Sequence, residues 1–228
     1  MTDIRRLDLG YFVRPAGETG GGEPRVEPVL GYLIRRDEGV IVFDTGMGEG
    51  SAEVDAHYRP QRRGIREALA DAGLSPADAA LVVNCHLHFD HCGGNVHFPG
   101  TPILVQPKEL QLARGEGHTL PWLVDFAGAS YRELVGEAEI WPGVWVVPTP
   151  GHTAGHQSLV VRQNDGTVVV AGQAHDFAFE FGAARLAVRA GLDGVGEPLP
   201  SYPKWMETLL AFDPRRVLFA HDNSVWEP

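Results

Sequence analysis

His86-Leu87-His88-Phe89-Asp90-His91 places four side chains able to bind a metal within six residues, directly before Gly93-Gly94. Imidazole suits zinc, iron, cobalt or manganese, and a carboxylate among imidazoles favours a hard or borderline divalent ion over a soft one. Without a cation, four polar side chains gathered at one strand end would carry an uncompensated burial cost. The two cysteines, Cys85 and Cys92, flank this run. A lone cysteine pair of this kind is read as small packed neighbours, since free cysteine is usually buried and inert.

The elements around the run must hold it. Leu81 to Val83 is a short buried strand, so the histidines begin where a strand ends. Upstream, Val29 to Ile34 and Val40 to Asp44 read as a hairpin about the polar turn Arg35 to Gly39, with Asp44 at its exit. Ile65 to Gly73 has helical apolar spacing and a glycine stop, Ile103 to Val105 is a strand, and Pro107 to Arg114 is a helix with proline in its first turn. Further on, Trp145 to Val147, Ser158 to Arg162 and Thr167 to Ala171 read as strands, the last two joined by Asn164-Asp165-Gly166. Lys204 to Phe212 reads as a helix before a final strand, Val217 to Ala220, which delivers His221. Alternation of strand and helix predicts an α/β fold of sheets flanked by helices. Gly17 to Pro24 and Phe177 to Pro200 lack a clear period and are predicted as loops over a site.

At 228 residues and 43% apolar content, the chain suits one domain spanning 1–228. Its net charge of -11 argues against nucleic acid or an anionic membrane as partner. Met1 to Leu9 has no signal-peptide core and the apolar runs are strand-length, so a cytoplasmic protein is expected. Trp122, Trp141 and Trp205 are candidates for the face of a homodimer.

The spacing His-x-His-x-Asp-His resembles that of the metallo-β-lactamase superfamily. Phe43-Asp44-Thr45-Gly46 is similar to its early aspartate motif, Gly151-His152-Thr153-Ala154-Gly155-His156 to its mid-chain motif, and Ala220-His221-Asp222 to its last. Within it, His86 to Asn95 with Val105-Gln106 and Gly155-His156-Gln157-Ser158 looks most like the N-acyl homoserine lactonases, the quorum-quenching enzymes. The resemblance implies an αβ/βα sandwich of two mixed β-sheets flanked by helices, with two divalent metal ions, zinc foremost and iron, manganese or cobalt as alternatives. His86, His88 and His152 would hold one ion; Asp90, His91 and His221 would hold the other. Asp44 would accept a hydrogen bond that orients a liganding histidine. His156 is read as structural, and His57, His97 and His118 as exposed bystanders.

Two positions depart from the family pattern. Where relatives end a strand in glycine-aspartate, the carboxylate bridging both metals, this chain has Ala171-Gly172-Gln173. A neutral amide brings no charge to offset the repulsion of two cations. Three residues on, where lactonases tend to carry a tyrosine facing the substrate, stands Asp176, which donates no hydrogen bond unless protonated. His175 and Asp176 are candidates, with Gln173, for metal or near-metal roles.

The activity implied is hydrolysis of a lactone, N-acyl homoserine lactone first, by a metal-held hydroxide, with Asp90 passing the proton toward the leaving alkoxide. An acyl tail needs an apolar groove, for which Phe177, Phe179, Phe181 and Trp122 are the candidates. Another ester, a thioester or a phosphotriester is the alternative substrate. A degenerate metal-binding protein that catalyses nothing, or an iron redox enzyme, for which a second cofactor domain would be expected, stands behind both.

Overall fold

The computed structural model describes residues 3–228. Two sheets form the frame. The first contains β1 (Asp3–Arg14), β2 (Arg25–Arg36), β3 (Gly39–Phe43), β4 (Gln61–Arg62), β5 (Ala79–Val83), β6 (Pro102–Val105) and β7 (Ser130–Glu133), in the order β4-β1-β2-β3-β5-β6-β7. The second contains β8 (Ala138–Trp141), β9 (Val144–Pro148), β10 (Gln157–Gln163), β11 (Gly166–Gly172) and β12 (Pro214–Phe219), in the order β12-β11-β10-β9-β8. Both are mixed: β3, β5, β6 and β7 run parallel, as do β11 and β12, and the other named pairs are antiparallel.

Strand periodicity explains the layering. Along β3, Ile41 and Phe43 face the second sheet while Val42 faces helices; along β5, Leu81 and Val83 pair off against Val82 in the same way. In β10, Leu159 and Val161 meet the first sheet and Val160 turns outward onto helices. Side chains alternate across a strand, so a sheet covered on both faces needs an unbroken apolar run, which is what these strands carry. Helices α1 (Ala52–Tyr58), α2 (Ile65–Ala70), α3 (Phe89–Cys92), α4 (Pro107–Ala113) and α5 (Pro121–Val124) belong to the half of the chain that holds the first sheet. Ile65, Leu69, Leu110 and Leu123 pack there against Leu7, Leu9, Leu33 and Ile103. On the far side, α6 (Ala178–Leu192) and α7 (Trp205–Ala211) bury Phe181, Val188, Trp205 and Leu209 against Val169, Val217 and Phe219. The predicted αβ/βα sandwich of two mixed sheets is therefore the observed one.

Two expectations need correction. Phe177 to Pro200 is not a loop throughout: its first part is the fifteen-residue helix α6, started by Glu180, whose Oε2 accepts from Asp176 N and Phe177 N. And Trp205 is no surface aromatic; it is buried, and its indole donates to Pro150 O at 2.9 Å. No helix among the described residues is long and apolar enough to cross a membrane.

Candidate metal centre

Five strands deliver the site at their C-terminal ends: β3 leads to Asp44, β5 to His86, β9 to His152, β11 to Gln173 and β12 to His221. After β5 the chain turns so that Leu87 is buried in the core while His86 and His88 face the opposite side. One turn of helix, α3, then carries Asp90 and His91. Gly93 lets the loop after β3 approach: a Cβ there would stand 1.9 Å from Gly48 N. Asp44 adopts a left-handed backbone with φ of 57°, which aspartate tolerates better than most residues. Its Oδ1 accepts from Cys85 N at 2.8 Å, and its Oδ2 lies 3.0 Å from His91 Nδ1.

Two groups of donors result. In the first, His86 Nε2 is 2.9 Å and His152 Nε2 3.2 Å from His88 Nδ1. Burial, joined by the neighbouring imidazoles, pushes the histidines away from charge: His86 well below the ordinary value, His88 to about 3 and His152 to about 4. Neutral imidazoles keep lone pairs for a metal. In the second group, His91 Nε2 is 3.2 Å from His221 Nε2, and Asp90 Oδ2 is 3.4 Å from each. The other ring nitrogens face acceptors, His91 Nδ1 toward Asp44 and His221 Nδ1 toward Pro28 O at 2.8 Å. Each ring thus turns its Nδ1 to an acceptor and its Nε2 toward Asp90 Oδ2. Burial works against charge on His91, but Cys85, Asp90 and Asp44 outweigh it and hold that ring above its ordinary value, so a cation bound here would take the place of the His91 proton. That arrangement fits a divalent cation, and nitrogens of about 3.3 Å separation suit tetrahedral ligation at about 2.0 Å.

The carboxylate of Asp90 is held below its ordinary range: burial works against its charge, but His91 and His221 outweigh it. Other clusters that contain Cys85 are different. Burial pushes the Cys85 thiol upward, away from the thiolate that ligates metals, and it sits as a small neighbour of Asp44, His86 and His91. His156 is structural as expected, bound to Thr149 Oγ1 and accepting from Gln173 N.

Beside the ligands opens a cavity of about 390 Å³ lined by Phe12, Val54, Tyr58, Phe89 and Leu120, with Arg14, His88, Asp90, His118, His152 and Gln173. The aromatics expected to form a groove are elsewhere. Phe181 is fully buried beneath the second sheet, while Phe177 and Phe179 stack on each other with centroids 5.7 Å apart, and none of the three lines the cavity. Helix α6 takes Phe181 inward at the position where a loop would have left it free. Trp122 does not line the cavity either; its indole donates to Glu49 O.

Of the residues near the altered bridging position, Gln173 is buried against the cavity, and its Nε2 donates to Asp176 Oδ1 at 2.9 Å. Asp176 faces Arg14 and Arg25. His175 turns away, its ring 5.3 Å from that of Trp205. His118 is no bystander: it binds Glu109 Oε1 at 2.8 Å, and its ring lies 4.5 Å from that of His88. Glu109 also accepts from Leu87 N at 2.8 Å and from Thr153 Oγ1 at 2.6 Å, so one carboxylate of α4 fastens the His86–His88 turn to the His152 loop. His57 binds Glu18 Oε1 at the surface, and His97 is exposed.

Residues 24–221 match the model of a family described as the metallo-beta-lactamase superfamily. Among curated proteins, the chain is similar to an N-acyl homoserine lactonase of a Bacillus species, 35% identical over 156 residues, 63% of this chain and 62% of that one. It is also similar to N-acyl homoserine lactonase AttM of Rhizobium radiobacter, 30% identical over 169 residues and 63% of either chain. These matches thus span a little less than two thirds of the relatives' length. A solved N-acyl homoserine lactone hydrolase with the product N-hexanoyl-L-homoserine at its catalytic metal center superposes with a TM-score of 0.73 at 24% identity, over 96% of this chain and 93% of that one. AidC, a dizinc quorum-quenching lactonase, gives 0.66 at 16% identity, over 96% and 87%.

Proposed function

The chain belongs to the metallo-β-lactamase superfamily, and on that footing we propose that it is a metal-dependent hydrolase that opens a lactone ring, N-acyl homoserine lactone foremost. The observation that carries this reading is the convergence of His86, His88 and His152 on one point and of Asp90, His91 and His221 on another, at the floor of a half-apolar cavity. Two ions, zinc first among them, are the proposed cofactors. Bound at these groups, divalent ions supply Lewis acidity, acidifying water and polarising a carbonyl oxygen.

The protein's own residues do the rest. Phe12, Val54, Tyr58, Phe89 and Leu120 offer the acyl chain an apolar wall and keep bulk water from the ester. Asp90, at the boundary of ligand group and cavity, holds the proton taken from the attacking water on a carboxylate oxygen and passes it to the alkoxide as the ring C–O bond breaks. The acyl carbon gains the hydroxyl and the leaving oxygen gains the proton, so no further reactant is required. Other esters, thioesters and phosphotriesters meet the same chemistry, and substrate choice rests on the cavity rather than on the fold.

The test is proton release on adding short- and long-chain acyl homoserine lactones to protein loaded with zinc, manganese or cobalt, with metal-free protein as the blank. Metal-dependent ring opening is expected. Silence from fully loaded protein would remove the lactone and direct the search to the other esters.

A further inference from the structure

Arg14 and Arg25 stand directly opposite each other in the antiparallel β1–β2 ladder. Like charges in that position repel, so the pair exists only because carboxylates are set between them. Glu27, almost wholly buried, accepts from Arg25 Nε at 2.6 Å on Oε1, and its Oε2 lies 2.8 Å from Arg14 Nη2 as an ion pair without hydrogen-bond geometry; Asp176 Oδ2 lies 3.3 Å from Arg25 Nη2 and 3.5 Å from Arg14 Nη1. Arg25, like Arg14, reaches both carboxylates, and its guanidinium lies over the Phe177 ring, 4.5 Å from the centroid. The two guanidiniums balance the two carboxylates in charge, with Arg25 the closer partner of each. A buried ion network is weak evidence for a gain in stability, which leaves the placement of this second cation to be explained.

That placement is in the cavity. Arg14 lines it together with His88, Asp90, His152 and Gln173, and is the only arginine or lysine among the described residues that does so. The guanidinium has five N–H donors, more than its two carboxylate partners use, and it cannot lose its charge. The charges of Glu27 and Asp176 hold it at the cavity wall, and the Gln173 amide in turn fixes Asp176. A donor so held loses little further freedom when it meets a ligand.

We infer that Arg14 is a substrate-contacting residue, whose free N–H groups bind the carboxylate that lactone opening creates and, before it, the carbonyl oxygen from which that carboxylate forms. This rests on the lactone reading above. It assigns to β1 the hydrogen-bond donor that Asp176 does not supply, and gives Glu27, Asp176 and Gln173 the task of positioning it.

Calorimetry with metal-loaded protein tests it, using N-hexanoyl-homoserine and its neutral carboxamide as probes. Wild type should bind the carboxylate more tightly than the amide. Arg14→Gln should weaken carboxylate binding by about tenfold or more and amide binding little, since a charge-assisted hydrogen bond is lost. Arg14→Lys should lie between, and Arg25→Gln should keep the preference for the carboxylate. Metal content and melting temperature, read on each variant, separate a lost contact from a lost fold. Unchanged carboxylate affinity in Arg14→Gln, or equal losses in Arg14→Gln and Arg25→Gln, would overturn the assignment while leaving the lactone reading intact. Failure of wild type to bind either probe would overturn both.

Discussion

Gln173 donates from Nε2 to Asp176 Oδ1 across 2.9 Å, so the amide at the end of β11 is clamped to a carboxylate that faces two arginines. The side chain beside the ligands at this position is therefore neutral, and among the six proposed ligands Asp90 alone is anionic. Two dications within a few ångströms repel each other strongly in a low-dielectric pocket. Gln173→Asp adds a negative charge beside them and should raise metal retention through dialysis, read as metal per chain by elemental analysis. In metal-free protein the same change sets two carboxylates side by side, so its melting temperature should fall. A variant that retains no more metal than wild type would show that this position does not face the ions.

A second carboxylate governs stability. Burial alone would raise the pKa of Glu109, but His118, Thr153 Oγ1 and Leu87 N outweigh it and hold the group below its ordinary value of 4.5. A depressed carboxylate stabilises the fold fully above its unfolded pKa and loses that contribution as pH falls through the folded one. Glu109→Gln should then lower stability by about 1–3 kcal/mol at neutral pH, from the buried donors left poorly paired. Urea midpoints of the two proteins should converge as pH drops below about 4.5. A gap independent of pH would mean that packing, not charge, is what the substitution removes.

The ligand run was the most legible part of the chain because its information is local: six residues after an apolar strand carry both donor type and direction, and the structure brings His86, His88, Asp90 and His91 together with His152 and His221. β1 was not legible. Its alternation, Leu7 and Leu9 inward, slips at the irregularity between Asp8 and Tyr11, after which Phe12 is the buried residue. One inserted residue reverses the facing of all that follow, and a period-2 pattern then reads as noise. Helix α6 was hidden by Gly182 and Gly191, by aromatics that suggest a strand, and by its N-cap Phe177, which has no side-chain acceptor and so leaves Glu180, the residue that accepts from Asp176 N and Phe177 N, without the usual start signal. For His118 the sequence holds no signal, since its partner Glu109 and neighbour His88 meet it only through the fold.

Asp90 is proposed both to hold a metal and to move a proton, and the two roles separate in Asp90→Asn. The amide keeps an oxygen facing His91 and His221, which lie 3.4 Å from the present carboxylate, but that oxygen is too weakly basic to take up and pass on a proton at neutral pH. Turnover of metal-loaded Asp90→Asn should fall by about 10²-fold or more, the usual size of a general acid–base contribution. The fall should be shallower for lactones with better leaving alkoxides, which need less help from a proton. If the variant retains its metal and its turnover, the proton passes elsewhere.

Chain-length preference should follow the cavity wall and not the phenylalanines of α6. Tyr58 stacks on Phe89 with centroids 5.0 Å apart, and both line the cavity, whereas Phe181 is packed against Phe219 and Trp226. Each buried methylene of an acyl tail contributes about 0.8 kcal/mol, so a lost wall is felt most by long tails. Tyr58→Ala should raise KM for a ten-carbon acyl homoserine lactone about tenfold and for a four-carbon one less than about twofold. Phe181→Ala should instead cost about 3–5 kcal/mol of stability through the cavity it leaves, with the ratio of the two KM values unchanged. Steady-state kinetics on both substrates, beside a thermal melt of each variant, distinguish the two surfaces; a ratio that moved with Phe181 and not with Tyr58 would place the tail along α6.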